Sequence, residues 1–177
     1  SRFTVSGQGL VAWLRTVVTG TIPRIGRMSL VYICDSQGRI VSELSAIRPA
    51  EEEVLLMAGA GAQWHDIELL QKYLPADGSI TIEDRSADQT ALVLTGPRSR
   101  DILSQVCDAD LTSPWLTHQR TTIAGRTVFA MRVSYVGELG WELHVSLADV
   151  AEVYASVTAV GADHGLVPFG MYAMDSM

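Results

Sequence analysis

The chain has 177 residues, enough for one ordinary domain with a core or for part of a larger one. Hydrophobic residues make up 47% of it, which excludes a disordered chain, and no apolar run approaches the ~18 residues of a membrane-spanning helix. The net charge is −7, and Lys72 is the only lysine among scattered arginines. Without a basic stripe, nucleic acid and anionic membranes are poor partners.

The cysteines indicate a reducing compartment. Cys34 and Cys107 lie far apart and have neither CxxC nor His/Cys metal-ligand spacing, so no metal site is expected. We interpret both as buried or semi-buried free thiols, and we expect a cytoplasmic location.

The first half of the chain predicts short strands and two helices. Strands are expected over 2–5, 28–34, 40–48 and 54–57, and helices over 9–18 and 63–74. Pro49 is expected to end the third strand. On that strand Glu43 and Ser45 share one face, because side chains alternate. The second helix carries the apolar stripe Trp64, Ile67, Leu70 and Leu74.

The second half repeats this mixture of elements. Strands are expected over 80–83, 90–95, 118–123 and 126–135, a helix begins at Pro97, and another begins at 171. A further helix follows the capping-box-like segment 146–149, with the apolar stripe Leu147, Val150, Ala151, Tyr154, Val157 and Thr158. Strands and helices alternate irregularly with hairpins between them. This predicts an α+β fold with mixed or antiparallel sheets and helices packed outside.

Residues 133–145 hold the most informative pattern. Both ends alternate with period two around Gly137 and Gly140, which predicts a hairpin. Trp141 and Leu143 are expected in the core, so Glu142 between them faces the other way. The four histidines are interpreted as structural or surface residues, because none has metal or triad spacing.

Several segments resemble the glycine-cleavage T-protein (aminomethyltransferase) family. Residues 135–143, YVGELGWEL, resemble its Y-x-G-E-x-G-x-E signature. Residues 91–100 are similar to its apolar strand followed by G-P, and residues 38–44 to its G-G-I-x-D-D-L strand. Residues 165–177 resemble most closely the folate-binding regions of dimethylglycine and sarcosine dehydrogenases. The resemblance runs over the whole chain, 1–177, as one folate-binding domain of that fold, truncated at both ends relative to the family.

The resemblance implies tetrahydrofolate as cofactor and one-carbon transfer giving 5,10-methylenetetrahydrofolate. Glu142 matches the family's pterin-holding glutamate, Tyr135 its tyrosine, and Glu43 the position of its catalytic acid. Ser45, on the same strand face as Glu43, is expected to contribute a hydroxyl to the pterin. An N-methyl amine or aminomethyl donor is the implied second substrate. A flavin domain with FAD, or a carrier protein, is implied only in a parent protein outside this chain.

Two departures from the family pattern keep an alternative open. Glu43 stands where the family usually has aspartate, and Met174 replaces an arginine near the final aspartate. The resemblance also implies an upstream segment and a downstream barrel that help to enclose folate and are not part of this chain, so the isolated fragment is expected to be inactive. The alternative function is a non-catalytic folate-binding or structural module.

Overall fold

The computed structural model describes residues 1–177 in full, and the chain divides into two compact units, Ser1–Asp88 and Gln89–Met177. All paired strands in both units are antiparallel, and each unit adds helices to one sheet. The predicted α+β class is confirmed. No helix is both long and apolar enough to cross a bilayer.

The first unit is a five-stranded sheet with two helices. Its elements are β1 (Arg2–Gly7), α1 (Leu10–Val17), β2 (Met28–Cys34), β3 (Ile40–Ala50), β4 (Glu53–Met57), α2 (Gln63–Lys72) and β5 (Ile80–Asp84). The strand order is β2-β3-β4-β1-β5. Phe3, Val31, Leu44 and Leu56 on the strands pack with Leu14 of α1 and other residues in one buried cluster. Because side chains alternate, Glu43 and Ser45 lie on the second face of this sheet, opposite the helices.

The second unit is a four-stranded sheet with three helices. Its elements are β6 (Gln89–Thr95), α3 (Ser99–Val106), β7 (His118–Ile123), β8 (Arg126–Met131), β9 (Gly140–Ser146), α4 (Val150–Gly161) and α5 (Met171–Met174). The strand order is β6-β9-β8-β7, so β9 is an inner strand with a partner on each side. Trp141 and Leu143 of β9 join Leu103 of α3 and Val153 of α4 in the core.

Two predicted helix stripes were partly wrong. Trp64 is 73% exposed, while Asp66 and Leu70 are the buried residues of α2. Asp66 and Leu70 are four residues apart and share a helix side, whereas Trp64, two residues before Asp66, points to the opposite side. On α4 the buried line is Val153, Val157 and Gly161.

Leu147 and Tyr154, both predicted in the stripe of α4, are 52% and 47% exposed. Leu147 precedes the helix, which begins at Val150. The buried line repeats every four residues from Val153, and Tyr154 lies one position beyond it.

Pro49 does not end its strand. β3 continues to Ala50, and its pairing with β4 is irregular between Ile47 and Ala50. Proline lacks the N–H that a regular ladder requires, so it is tolerated at such an irregularity. The two cysteines are free and semi-buried, as predicted.

Candidate functional site

Glu142 occupies the centre of an inner strand but faces away from the core. Its neighbours Trp141 and Leu143 are each 1% exposed and pack beneath the helices. The Glu142 side chain lies on the second face of the sheet and is 26% exposed. The predicted orientation of Glu142 is therefore confirmed, although its role is not tested by its orientation.

The Glu142 carboxylate is held by one donor from its own strand. Oε2 of Glu142 lies 2.9 Å from Nε2 of His144, whose side chain is only 5% exposed. An ionised carboxylate can only accept a hydrogen bond, so we assign the proton of this contact to Nε2 of His144. Oε1 of Glu142 has no partner in the chain and can accept donors from a ligand.

The neighbours of Glu142 on the adjacent strands are apolar. Val93 of β6 and Met131 of β8 stand directly opposite it. Beyond Met131, His118 of β7 stacks on Phe129 with ring centroids 4.6 Å apart. The carboxylate is therefore a polar group set in an apolar surface, which suits a flat ligand with an edge of hydrogen-bond donors.

Tyr135 does not lie on a strand, contrary to prediction. The strand predicted over 126–135 ends at Met131, because the chain turns tightly there: the Val133 N–H donates to the Met131 carbonyl, 3.0 Å away. Tyr135 lies in the loop 132–139 that joins β8 to β9, and it is 73% exposed. Its ring is thus accessible to a ligand, and it contributes nothing to the core.

Arg132 anchors the beginning of this loop. Its Nη1 donates to the Gly140 carbonyl at 3.0 Å, and its guanidinium lies 4.7 Å from the centroid of the Trp141 ring. The guanidinium of Arg100 is 5.8 Å from the same ring. Burial, and then the charge of Arg100, lower the pKa of Arg132 below its usual range. The Nε of Arg132 is buried without a hydrogen-bond partner.

The other end of the loop is tied to the start of α3. The Leu139 carbonyl accepts the Gly96 N–H at 2.8 Å and the Ser99 hydroxyl at 3.1 Å. The loop that carries Tyr135 is therefore fixed at both ends, while Tyr135 between them extends toward solvent.

Glu43 and Ser45 form a second candidate cluster, in the first unit. Both lie on the second face of β3, with Tyr32 of β2 directly opposite Glu43. Glu43 is exposed and forms no hydrogen bond or ion pair. Ser45 is half-buried between Leu30 and Met57 of the adjacent strands. The structure thus brings Glu43 and Ser45 together on one strand, and it places Glu142 and Tyr135 on a strand and its preceding loop in the other unit.

Two residues were missed from sequence alone. His144 was interpreted as structural or surface, yet it contacts Glu142. Arg132 received no role. Their signals were different: His144 lies two residues after Glu142 on a strand and so shares its face, whereas nothing in the sequence pairs Arg132 with Trp141.

Comparison with known protein families shows which family the chain belongs to. The model of the GCVT N-terminal domain family matches residues 1–177. The chain belongs to this family. Mouse mitochondrial sarcosine dehydrogenase is 53% identical to this GCVT domain over an aligned length of 170 residues, and the match covers 84% of the chain and 18% of the relative. Human mitochondrial dimethylglycine dehydrogenase is 27% identical over 99% of the chain and 21% of the relative.

A second group of relatives consists of aminomethyltransferases. That of Geobacillus thermodenitrificans is 28% identical over 98% of the chain. This GCVT domain spans about a fifth of the dehydrogenases and 48% of that aminomethyltransferase.

Solved structures confirm the fold. The aminomethyltransferase T of the Bartonella henselae glycine cleavage system superposes with a TM-score of 0.79 at 22% identity, covering 99% of this chain and 46% of that one. A chain of heterotetrameric sarcosine oxidase from Corynebacterium sp. U-96 gives 0.71 at 16% identity, covering 96% and 83%.

Proposed function

We propose that this GCVT domain binds tetrahydrofolate and takes part in one-carbon transfer that gives 5,10-methylenetetrahydrofolate. The family match over the whole chain supports folate-dependent transfer in general, and the names of the relatives point to aminomethyl or N-methyl donors. We assign the domain to a dehydrogenase-like protein in which a flavin domain with FAD, outside this chain, would oxidise the amine. A cytoplasmic location stays a prediction, since the mammalian dehydrogenase relatives are named as mitochondrial.

The environment of Glu142 is the single observation that carries the proposal. A pterin presents a 2-amino group beside a ring N–H, and two parallel donors fit a carboxylate edge as a guanidinium does. Glu142 is partly exposed, its Oε1 is unoccupied by the chain, and Val93 and Met131 flank it with apolar surface. These residues fit a flat heterocycle whose donor edge meets the carboxylate.

The other site residues receive roles by their chemistry. Tyr135 would contact the pterin with its exposed ring, and Ser45 would offer a hydroxyl. Glu43 would act as a general base at a folate nitrogen and stabilise a cationic iminium by its charge.

Calorimetric titration of tetrahydrofolate into the intact protein tests the proposal. Glu142→Gln keeps the shape of the side chain but removes its charge, so we expect binding to weaken at least tenfold, because a hydrogen bond to a charged group contributes about 1.5–3 kcal/mol. Glu68→Gln on the exposed side of α2 is the matched control and should bind like the wild type. Equal affinity of the two variants would refute the role of Glu142.

A second candidate function is a folate-binding module without transfer chemistry. Glu43 is exposed, and no neighbouring side chain holds it in one position. A catalytic group usually has its geometry fixed by neighbours, so this observation favours recognition of folate over turnover. A protein that binds tetrahydrofolate but forms no methylenetetrahydrofolate when supplied with its amine donor would favour the module.

A further inference from the structure

His144 donates a hydrogen bond to the Glu142 carboxylate from two residues further along the same strand. The residues opposite Glu142, Val93 and Met131, are apolar and cannot replace it. His118 and Arg120 lie on β7 in the same cross-strand rows as Glu142 and His144. The imidazole of His144 therefore restrains the position of the carboxylate.

Strand geometry makes this contact possible. Residues i and i+2 of a strand share a face, and β9 is paired on both sides, with β6 and with β8. The His144 side chain is 5% exposed, which fixes its ring. A rigid, buried donor thus meets a carboxylate that is itself 26% exposed.

We propose that His144 is a positioning residue for folate recognition, which it serves by fixing the Glu142 carboxylate before the ligand arrives. The inference rests on the proposed function and deepens it. A glutamate side chain has three rotatable bonds, and a ligand that must immobilise it loses affinity through the ordering of that side chain. The Nε2–H of His144 engages Oε2 and leaves Oε1 for the donor edge of the pterin.

Two substitutions separate the hydrogen bond from the volume of the ring. His144→Leu removes the donor, and we expect tetrahydrofolate to bind about tenfold more weakly. His144→Gln offers an amide N–H near the position of Nε2, and it should restore affinity to within about threefold of the wild type. Circular dichroism and thermal unfolding establish the folded fraction, and affinities are compared per folded molecule. If both variants lose affinity equally, the hydrogen bond is not the cause and the inference fails.

A double-mutant cycle tests whether His144 acts through Glu142. If it does, Glu142→Gln/His144→Leu binds tetrahydrofolate no more weakly than Glu142→Gln alone. Losses that multiply in the double variant would show an independent effect and overturn the inference.

A ligand-free measurement keeps the inference distinct from the proposed function. Long-range proton–nitrogen NMR of His144 in the intact wild-type protein should show Nε2 protonated. An unprotonated Nε2 would overturn the inference even if folate binds. If the wild type binds no tetrahydrofolate, the proposed function fails, and the role of His144 in folate recognition fails with it, whatever the tautomer.

Discussion

The two candidate carboxylates, Glu43 and Glu142, stand on matching parts of the two units and in opposite environments. Each lies on a strand with a partner on both sides, on the sheet face opposite the helices. Glu142 is three-quarters shielded and bonded to His144, whereas Glu43 is exposed and bonded to nothing. The two carboxylates thus differ in support: Glu142 is held by a hydrogen bond, and Glu43 is not.

The difference follows from the residues across and along each strand. His144 shares the face of Glu142 and donates to it. The directly opposite residues on β6 and β8 are apolar and offer the carboxylate no hydrogen bond. Along β3 the residue two after Glu43 is Ser45, which forms no bond with it, and the facing residue is Tyr32. A carboxylate that binds one ligand edge benefits from being fixed in advance, whereas Glu43 could reach a reactive geometry only through contacts with bound substrates.

The largest expected effect is on catalysis, and it concerns Glu43. Glu43→Gln should lower the formation of methylenetetrahydrofolate at least a hundredfold, since general acid–base catalysis contributes about 10²–10⁴-fold. Tetrahydrofolate affinity should change less than threefold. Single-turnover product formation and calorimetry measure the two quantities in the intact protein.

The matched control for Glu43 is Glu83→Gln, an exposed strand carboxylate on the same face of the same sheet. It should leave both quantities unchanged. If Glu43→Gln retains full turnover, Glu43 is not the base and the module without transfer chemistry gains support.

The next effect is on the stability of the second unit, where Arg132 anchors the loop before the strand of Glu142. Arg132→Ala should lower the free energy of unfolding by about 1–2 kcal/mol, because it removes the stacking on Trp141 and leaves the Gly140 carbonyl without its donor. Urea denaturation measures the loss. Arg120→Ala, an exposed arginine without an ion pair on β7, should cost much less. Equal losses would mean that Arg132 does not anchor the loop.

Much of the fold could be predicted because local pattern determines it. The strand predicted over 28–34 is observed at Met28–Cys34, and the faces of Glu43, Ser45 and Glu142 follow from alternation alone. The end of β8 could not be predicted, since a turn closed by the Val133 N–H leaves no mark in the apolar alternation. The division into two units depends on which strands pair, and pairing over long separations is not encoded in any one segment.

The sequence could predict individual residues of the candidate site but not the contacts between them. Glu142 and Tyr135 came from a motif, and the motif placed both on strands, whereas Tyr135 lies in a loop. The Glu142–His144 bond needs the actual side-chain positions, because two residues on one face can equally point apart. The roles of Glu43, Ser45, Tyr135 and Glu142 stay predictions until the variants above are measured.

The smallest expected effect is on stability, and it concerns the turn before β3, the strand that carries Glu43. Asp35 orders the turn that leads into β3: its Oδ1 accepts the Arg39 N–H at 2.9 Å and the Gln37 N–H at 2.8 Å. The Arg39 backbone N–H, followed by that of Gln37 and the Arg39 side chain, outweighs slight burial and holds the pKa of Asp35 below its usual range. Because the folded pKa is depressed, this carboxylate stabilises the fold above its unfolded pKa of about 3.9. That contribution is lost as pH falls through the lower folded value.

Asp35→Asn should therefore be slightly less stable than the wild type at pH 7, and the difference should vanish as the pH falls from about 5 toward 2. Urea midpoints across that range measure it, with Asp163→Asn as control, since Asp163 is exposed and forms no hydrogen bond or ion pair. A difference that persists at low pH would place the effect of Asp35 in the amide substitution itself and not in its charge. A difference that follows the pH would show that the charge of Asp35 stabilises the turn leading into β3, the strand on which Glu43 lies. In the first unit Asp35 would then stabilise the entry to β3 without contacting Glu43, whereas in the second unit His144 bonds to Glu142 itself.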